Sequence, residues 1–279
     1  MLPIIFGLSS ALSWGAADFC GGLASRKAKA YQAVLFGEAS GLALLLVAAF
    51  FSGETPIGWY SWLLCSLAGS MGVLGLLMFF EAMSRGQMSI ASPVAALTGA
   101  ILPVIVGSLT EGFPGWLTLA GFALALAAIW FISQPDGSAK SLRVRLADLS
   151  LPLIAGLGFG VYLILIHSGS RTGVFWPMVA ARVSGVLTMV LYTLITHQPI
   201  LPAKNVWPLL LMNGVLDVTG NGLYILAGQA GRMDVAAVLA SLYPASTVLL
   251  AGLTLHERLN RLQVAGILAA LVAIVLITV

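Results

Sequence analysis

The chain has 279 residues, of which 59% are hydrophobic and only 8% are charged, and its mean hydropathy is +1.02. Because soluble domains carry about 25% charged residues, this composition excludes a water-soluble domain and indicates a protein that lies in a lipid bilayer. The net charge of +3 is small, and the two cysteines, Cys20 and Cys65, fall within apolar segments, which predicts packing residues and neither a disulfide framework nor a metal site.

Ten segments are apolar over the length of about 20 residues that a membrane-spanning helix needs. In chain order they are 3–23, 32–51, 59–82, 88–110, 115–133, 149–168, 174–195, 205–227, 233–255 and 262–279. The first has no basic region before it, and apolar sequence continues past any cleavage site, so it is predicted to be a membrane helix and not a signal peptide. The pattern predicts an all-α integral membrane protein with ten transmembrane helices.

The second half of the chain repeats the first at an offset of 145 residues. The match is closest between 86–110 and 231–255. It extends to Gly15 and Gly160, Arg26 and Arg171, Trp62 and Trp207, Gly75 and Gly220, and Gly121 and Gly266. Each copy has five segments, an odd number, so the second copy enters the membrane from the opposite side. We therefore predict two inverted five-helix repeats, at 1–137 and 148–279.

Basic residues are concentrated in the loops that follow odd-numbered segments. Those loops hold Arg26, Lys27, Lys29, Arg85, Lys140, Arg143, Arg145, Lys204, Arg258 and Arg261. The loops that follow even-numbered segments hold only Arg171 and Arg232, and Arg182 lies inside a segment. Because cytoplasmic loops carry an excess of Lys and Arg, the odd-numbered loops are expected in the cytoplasm and both termini outside.

Several features of the duplicated five-helix unit carry a resemblance to a known family. They are Trp14-Gly15 in the first segment, a Gly-rich third segment, an Ala-rich fourth segment with a proline at mid-membrane, and Glu257, Gln263 and Gly266 after the ninth. Over essentially its whole length the chain resembles the EamA-type branch of the drug/metabolite transporter superfamily. The first copy departs from the pattern, because Glu111 is one residue out of register and no Gln precedes Gly121. The resemblance implies export of amino acids or related metabolites.

The eighth segment carries a stripe of polar residues. Asn213, Asp217, Asn221 and Tyr224 follow the spacing i, i+4, i+8 and i+11, so they lie along one face of a helix. Polar groups inside a bilayer are costly and each needs a reason. The stripe favours the lining of a cavity, and hydrogen bonding between helices is the alternative.

Arg182 in the seventh segment and Asp217 in the eighth lie at depths that differ by roughly 4–5 Å. This difference is within the reach of an arginine side chain, so we expect the two to meet. A permanent buried ion pair is one interpretation. The other is a pair that opens during transport or binds the carboxylate of a substrate.

The first segment places Trp14 and Asp18 on one face, one turn apart. Asp18 is deep enough to need a partner or water, and either it contacts Arg26 or Lys27 or it exchanges protons. Glu38, by contrast, is expected to pair with the basic loop before the second segment.

Prolines interrupt the central segment of both copies. Pro93, Pro103 and Pro244 each free the carbonyl four residues earlier, and irregular backbone at membrane depth is tolerated where it lines a cavity. Tyr243 beside Pro244, and Thr98 at the equivalent position of the first copy, are therefore predicted to face a midplane site. A simple packing kink is the alternative.

These features predict a secondary transporter, an exporter of small polar metabolites such as amino acids, which works by alternating access with a central site between the repeats. The predicted substrate-binding residues are Trp14, Asp18, Thr98, Arg182, Asn213, Asp217, Asn221, Tyr224 and Tyr243. Export of organic cations or amines, and a passive facilitator or channel, are the alternatives. Neither a nucleophile–base constellation nor a nucleotide-binding motif is found, so no enzyme, cofactor or metal is predicted.

The expected location is a bacterial-type inner membrane, where the chain would be a multi-pass monomer. Its expected partners are a small-molecule substrate, membrane lipid and a coupling proton, with no nucleic acid.

Overall fold

A computed structural model describes residues 1–85, 88–132, 146–247, 250 and 260–278. The described residues are helical, without strands. The helices are α1 (Leu2–Lys27), α2 (Ala30–Ser52), α3 (Trp59–Ser84), α4 (Met88–Thr110), α5 (Trp116–Ile132), α6 (Leu146–Gly169), α7 (Phe175–Ile195), α8 (Trp207–Ala230), α9 (Met233–Ala240) and α10 (Arg261–Thr278). A 3₁₀ turn, Lys204–Val206, leads into α8.

Seven of these helices, α1 to α4 and α6 to α8, are long and apolar enough to cross a membrane. They confirm the all-α membrane class and seven of the ten predicted segments. Helices α5 and α10 are equally apolar but shorter; the 17 residues of α5 span about 25 Å, against a hydrocarbon core of about 30 Å. The ninth predicted segment is not a single continuous helix.

The interruption of the ninth segment lies where the proline was expected to act. Helix α9 ends at Ala240, and the next two residues form a turn before helical structure resumes at Tyr243. Pro244 has no backbone N–H to donate to the Ala240 carbonyl. The next residue, Ala245, donates its N–H to the Leu242 carbonyl, which is three residues back and not four, at 2.9 Å. Helix α4, in contrast, runs through both of its prolines.

Helix packing is symmetric under exchange of the two halves, in which α1 to α5 correspond to α6 to α10. Helix α1 packs against α8 and α9, and α6 packs in the same way against α3 and α4. Helix α2 pairs with its own counterpart α7, and α5 with α10. This pairing fits the duplication in the sequence and makes each half dependent on the other for its packing.

Repeat-equivalent glycines mark points of close helix approach. A Cβ added to Gly121 in α5 would lie 3.1 Å from the carbonyl oxygen of Ala273 in α10, and one added to Gly266 in α10 would lie 3.0 Å from that of Ala128 in α5. Small residues allow helices in lipid to pack closely by van der Waals contact. Gly266 therefore has a packing role, while Glu257, the first residue of the same motif, lies outside the described residues.

Two carboxylates of the first half hold helix N-termini of the second half. The Glu54 carboxylate accepts hydrogen bonds from the backbone N–H groups of Val174 and Phe175 at the start of α7, at 2.9–3.1 Å. The Glu111 carboxylate accepts one from Met233 N–H at the start of α9, at 3.0 Å. Both bonds satisfy donors that a helix N-terminus leaves unpaired, so the two halves are joined at the ends of the helices as well as along their lengths.

The packing predicts that two nearby glycines of α8 differ in their tolerance of a methyl group. Gly220 faces the Trp14 ring, and a Cβ there would lie 2.7 Å from the indole nitrogen. A Cβ on Gly222 would have the Met178 methyl as its nearest neighbour, at an ordinary contact distance of 3.4 Å. We expect Gly220→Ala to lower the apparent melting temperature in detergent, with a loss of about 1–3 kcal/mol from overpacking. Gly222→Ala is the control and should not lower it. Equal melting temperatures for the two variants would contradict this packing.

Candidate substrate-binding cavity

A cavity lies between the two halves, with about 850 Å³ of empty space counted out to its opening. Helices α1 to α4, α6 to α8 and the interrupted ninth segment all contribute to its wall. The lining residues are Trp14, Asp18, Glu38, Gly69, Gly72, Val73, Leu76, Ala95, Ala96, Gly99, Phe159, Tyr162, Leu163, Met178, Ala181, Arg182, Asp217, Asn221, Ser241 and Tyr243. Interior cavities lined mainly by apolar side chains with a few polar groups are typical of small-molecule sites.

Six of the nine predicted substrate-binding residues line this cavity: Trp14, Asp18, Arg182, Asp217, Asn221 and Tyr243. The other three are outside the lining. Asn213 donates its side-chain amide to the Ala17 carbonyl at 2.9 Å, which is the alternative foreseen for the polar stripe. The fully buried Tyr224 donates its hydroxyl to the Leu163 carbonyl at 3.1 Å. The Thr98 hydroxyl donates to the carbonyl of Val94 on its own helix at 2.8 Å.

Arg182 bridges two carboxylates that come from different helices. Its Nη1 donates to Oε1 of Glu38 on α2 at 2.5 Å, and its Nη2 donates to Oδ2 of Asp217 on α8. Arg182 and Glu38 are both buried, with 6% and 8% of their surface exposed. The expected meeting of Arg182 and Asp217 is therefore present, and a third charged residue belongs to the same cluster.

The expectation that Glu38 pairs with the basic loop before α2 is wrong. Helix α2 begins at Ala30, which places Glu38 eight residues, or about 12 Å, into the helix and beyond easy reach of that loop. Gly185 on α7 leaves room for its carboxylate, since a Cβ there would lie 2.8 Å from Oε2 of Glu38. The depth of Glu38 matches that of Arg182 and makes the buried pair possible.

A hydrogen-bonded chain extends this cluster towards α6. The Asn221 amide nitrogen donates to Oδ2 of Asp217 at 2.9 Å and to the Asp217 carbonyl at 2.7 Å. The Tyr162 hydroxyl then donates to Oδ1 of Asn221 at 2.5 Å. Oδ2 of Asp217 thus accepts hydrogen bonds from both the Arg182 guanidinium and the Asn221 amide, which stabilise a carboxylate at membrane depth.

Asp18 differs from the other two carboxylates of the cavity. Among the described residues no ion pair or hydrogen bond reaches its carboxylate, and none joins it to Arg26 or Lys27. The buried Tyr243 hydroxyl, which lines the same cavity, also lacks a hydrogen-bond partner among the described residues. Buried polar groups are normally paired, so these two are the groups most available to a ligand.

Sequence reasoning missed Glu38, Phe159 and Tyr162 as lining residues. The repeat offset carries the signal for Phe159, because Phe159 is the equivalent of Trp14 and both line the cavity. The position of Glu38, eight residues into α2, could have predicted that it lies too deep to pair with the loop. Tyr162 has no such signal, since its equivalent is Ala17 and its role depends on the contact with Asn221.

The carboxylates of the cavity do not form a metal-ligand group within the part of the chain that the structure describes. No group of three or more His, Cys, Asp or Glu side chains there is placed to hold a metal ion. The guanidinium of Arg182 already occupies the space between the carboxylates of Glu38 and Asp217.

Apolar helices of membrane-spanning length that pack around an interior cavity define a multi-pass membrane protein. The model of the EamA-like transporter family matches the chain twice, at 1–134 and at 147–279. The chain therefore belongs to the EamA-like transporter family, whose members are membrane transporters of small molecules and not enzymes.

A protein of known crystal structure has the same fold. Its TM-score is 0.76 at 15% sequence identity, over 99% of this chain and 96% of that chain. At this identity the likeness concerns the fold alone. A comparison with curated proteins found no match.

The Arg182 cluster predicts an order among charge-neutralising variants. Arg182→Gln leaves two buried carboxylates without a cation, and we expect a loss of stability near the 3–5 kcal/mol typical of a broken buried pair. Glu38→Gln and Asp217→Asn should each cost less, because Arg182 keeps one carboxylate. Thermal unfolding in detergent measures the series.

The triple variant, which neutralises all three groups, should recover part of the Arg182→Gln loss. Glu81→Gln is the control, because Glu81 pairs with Arg85 in an exposed position, where such a pair contributes roughly 0–1 kcal/mol. Fully additive losses across the three sites would mean that they act separately.

Proposed function

We propose that this protein is a secondary transporter that exports small polar metabolites across a bacterial-type inner membrane. The observation that carries the proposal is the cavity between the two halves, which is lined by Asp18, a carboxylate without a hydrogen-bonded or ion-paired partner among the described residues. Substrate and coupling-ion sites of secondary transporters lie at the interface of their repeats, near the membrane midplane.

Alternating access follows from two inverted five-helix repeats, each crossing the membrane five times. Three features support it. The family model matches the chain twice, and the helices of the two halves pair symmetrically. Helices α5 and α10 are apolar, as membrane-spanning helices are, although they are shorter than the other seven. In this scheme α1 to α5 and α6 to α10 exchange roles between the inward-open and outward-open states. The break at Ser241 and Leu242 is a hinge next to the site.

The transported molecule carries an amino group and an apolar part. Trp14 and Tyr243 offer aromatic faces beside carboxylates in the cavity, which suits an amino acid. It also suits an organic amine, the alternative substrate class. A passive channel is the competing mechanism, and its flux would not saturate with substrate concentration.

Proton coupling requires a group that changes its protonation between the two membrane faces and is sensed by the substrate. Glu38 and Asp217 are held by Arg182, whereas Asp18 faces the cavity without a hydrogen-bonded partner among the described residues. Asp18 is therefore the proton carrier in our proposal, and substrate and proton compete for its carboxylate.

We expect Asp18→Asn to abolish pH-gradient-driven accumulation in liposomes, because the amide cannot carry a proton. Some downhill exchange should remain at high substrate concentration, since the other residues that line the cavity are unchanged. Uptake into proteoliposomes, screened with a panel of amino acids and amines and measured with and without a pH gradient, tests this. Glu81→Gln, which neutralises an exposed carboxylate, is the matched control and should behave as the unmodified protein.

If accumulation by the unmodified protein is indifferent to the pH gradient, the coupling role of Asp18 is wrong and the protein is a facilitator. If flux rises linearly with substrate concentration without saturation, alternating access itself is wrong.

The orientation in the membrane is the last part of the proposal. Ten basic residues in the odd-numbered loops outnumber two in the even-numbered loops. The odd-numbered loops are cytoplasmic in this assignment.

A reporter fused after Val279 should therefore be active if it needs the periplasm and silent if it needs the cytoplasm. The control is the same reporter fused after Thr196, in the loop that follows α7, which should give the opposite result. Reversal of both signals would overturn the orientation without affecting the repeat.

A further inference from the structure

The two symmetric walls of the cavity differ in chemistry. Helices α1, α8 and α9 pack on one another, as do their counterparts α6, α3 and α4. We call the cavity-facing residues of the first group and the turn after it the polar wall: Trp14, Asp18, Asp217, Asn221, Ser241 and Tyr243. The second group gives the apolar wall: Gly69, Gly72, Val73, Leu76, Ala95, Ala96, Gly99, Phe159, Tyr162 and Leu163.

A comparison at the repeat offset shows how complete the difference is. The polar-wall residues and their apolar-wall equivalents form the pairs Trp14 and Phe159, Asp18 and Leu163, Asp217 and Gly72, Asn221 and Leu76, and Ser241 and Ala96. Both members of each pair line the cavity, so the positions have kept their symmetry while the polar groups have not. Tyr162, the polar member of the apolar wall, directs its hydroxyl across to Asn221.

The charge of the cavity is also one-sided. Three carboxylates and one guanidinium line it, a formal charge of −2. The guanidinium of Arg182 is bonded to Glu38 and to Asp217, which leaves Asp18 as the carboxylate without a cation among the described residues. A cationic ligand would offset this charge. An anionic ligand would need Arg182 as its positively charged partner, and it could reach Arg182 only by breaking a buried ion pair.

The surroundings of Asp18 suit a cation in a second way. Trp14 lies one helical turn before Asp18 on α1 and lines the same cavity. Its ring stacks on Tyr224 with the ring centroids 5.9 Å apart, and an indole ring is the aromatic surface that attracts cations most strongly. A carboxylate and an indole ring on one helix face, with the Tyr243 ring in the same lining, suit an ammonium group.

We propose that the preferred substrate is an organic amine with one positive charge, bound with its ammonium group at Asp18 and its apolar body against Phe159, Leu76 and Leu163. This inference rests on the transport function proposed above and deepens it. Because only one wall is polar, the molecule binds in one orientation. A free carboxylate on the substrate weakens binding, since Arg182 has no unshared place for it.

Three probes with the same phenyl body separate the charge classes: 2-phenylethylamine is a cation, phenylalanine a zwitterion and 3-phenylpropanoate an anion. Binding to the purified full-length protein is measured by the change in tryptophan fluorescence and by thermal shift. We expect the amine to bind about 10- to 100-fold more tightly than the zwitterion, the effect of one hydrogen-bonded charge pair, and the anion to bind least.

Two variants at repeat-equivalent positions then test the assignment of the walls. Asp18→Asn should remove most of the preference for 2-phenylethylamine over 3-phenylpropanoate. Leu163→Asn should keep that preference but reduce the gain in affinity along a series of linear alkylamines, which is about fourfold for each added methylene on an apolar surface. Loss of charge preference in the Leu163 variant alone would overturn the assignment.

The outcomes distinguish this inference from the proposed function. If phenylalanine binds more tightly than the amine and is transported, the transporter function stands and the amine preference is wrong. The same conclusion follows if other metabolites are transported and none of the three probes binds. If no solute of the panel shows saturable, protein-dependent flux in liposomes, the proposed function itself fails.

Discussion

A charge inside a bilayer needs a partner from the protein, and this constraint governs the centre of the molecule. Arg182 on α7 satisfies it by holding Glu38 on α2 and Asp217 on α8, so one guanidinium joins a helix of the first half to two of the second. The Asn221 and Tyr162 side chains complete the bonding of Asp217. Removal of one member leaves the others unpaired in a medium that cannot solvate them. The cluster therefore contributes to the stability of the folded protein.

Against this paired cluster, Asp18 and Tyr243 are exceptional because no protein group satisfies them within the described residues. A transporter must keep such groups available, because a site that is fully bonded internally has nothing to offer a substrate. The duplicated backbone supplies two equivalent walls, and substitution at equivalent positions has made one polar and the other apolar. In the proposed mechanism, symmetry of the helices permits exchange between two states, while asymmetry of the side chains selects the molecule.

Glycine and proline set the backbone that holds these side chains. Gly121 and Gly266 bring α5 and α10 together at equivalent points, and Pro244 interrupts the ninth segment beside Tyr243. The break at Pro244 is local and sterically determined, so it was predictable from the residues, whereas the approach of α5 to α10 depends on the tertiary packing. The equivalent helix of the first half behaves differently: α4 continues through Pro93 and Pro103, Gly99 stands at the position that corresponds to Pro244, and Thr98 bonds to its own helix. A proline frees a carbonyl, but the neighbouring turns decide whether the helix breaks.

The sequence by itself determined the membrane class, the duplication and most helix boundaries, because apolar length, periodicity and repeat offset are properties of the chain alone. It also identified the depth match of Arg182 and Asp217. Only the tertiary structure decided which polar residues face the cavity and which join helices: Asn213 shares a helix face with Asp217 but bonds to α1, and Glu38 bonds to α7 and not to the loop before it. The physical reason is that the spacing of residues along a helix determines which side of that helix they occupy. Which neighbouring helix, or which cavity, lies on that side is decided by the tertiary packing.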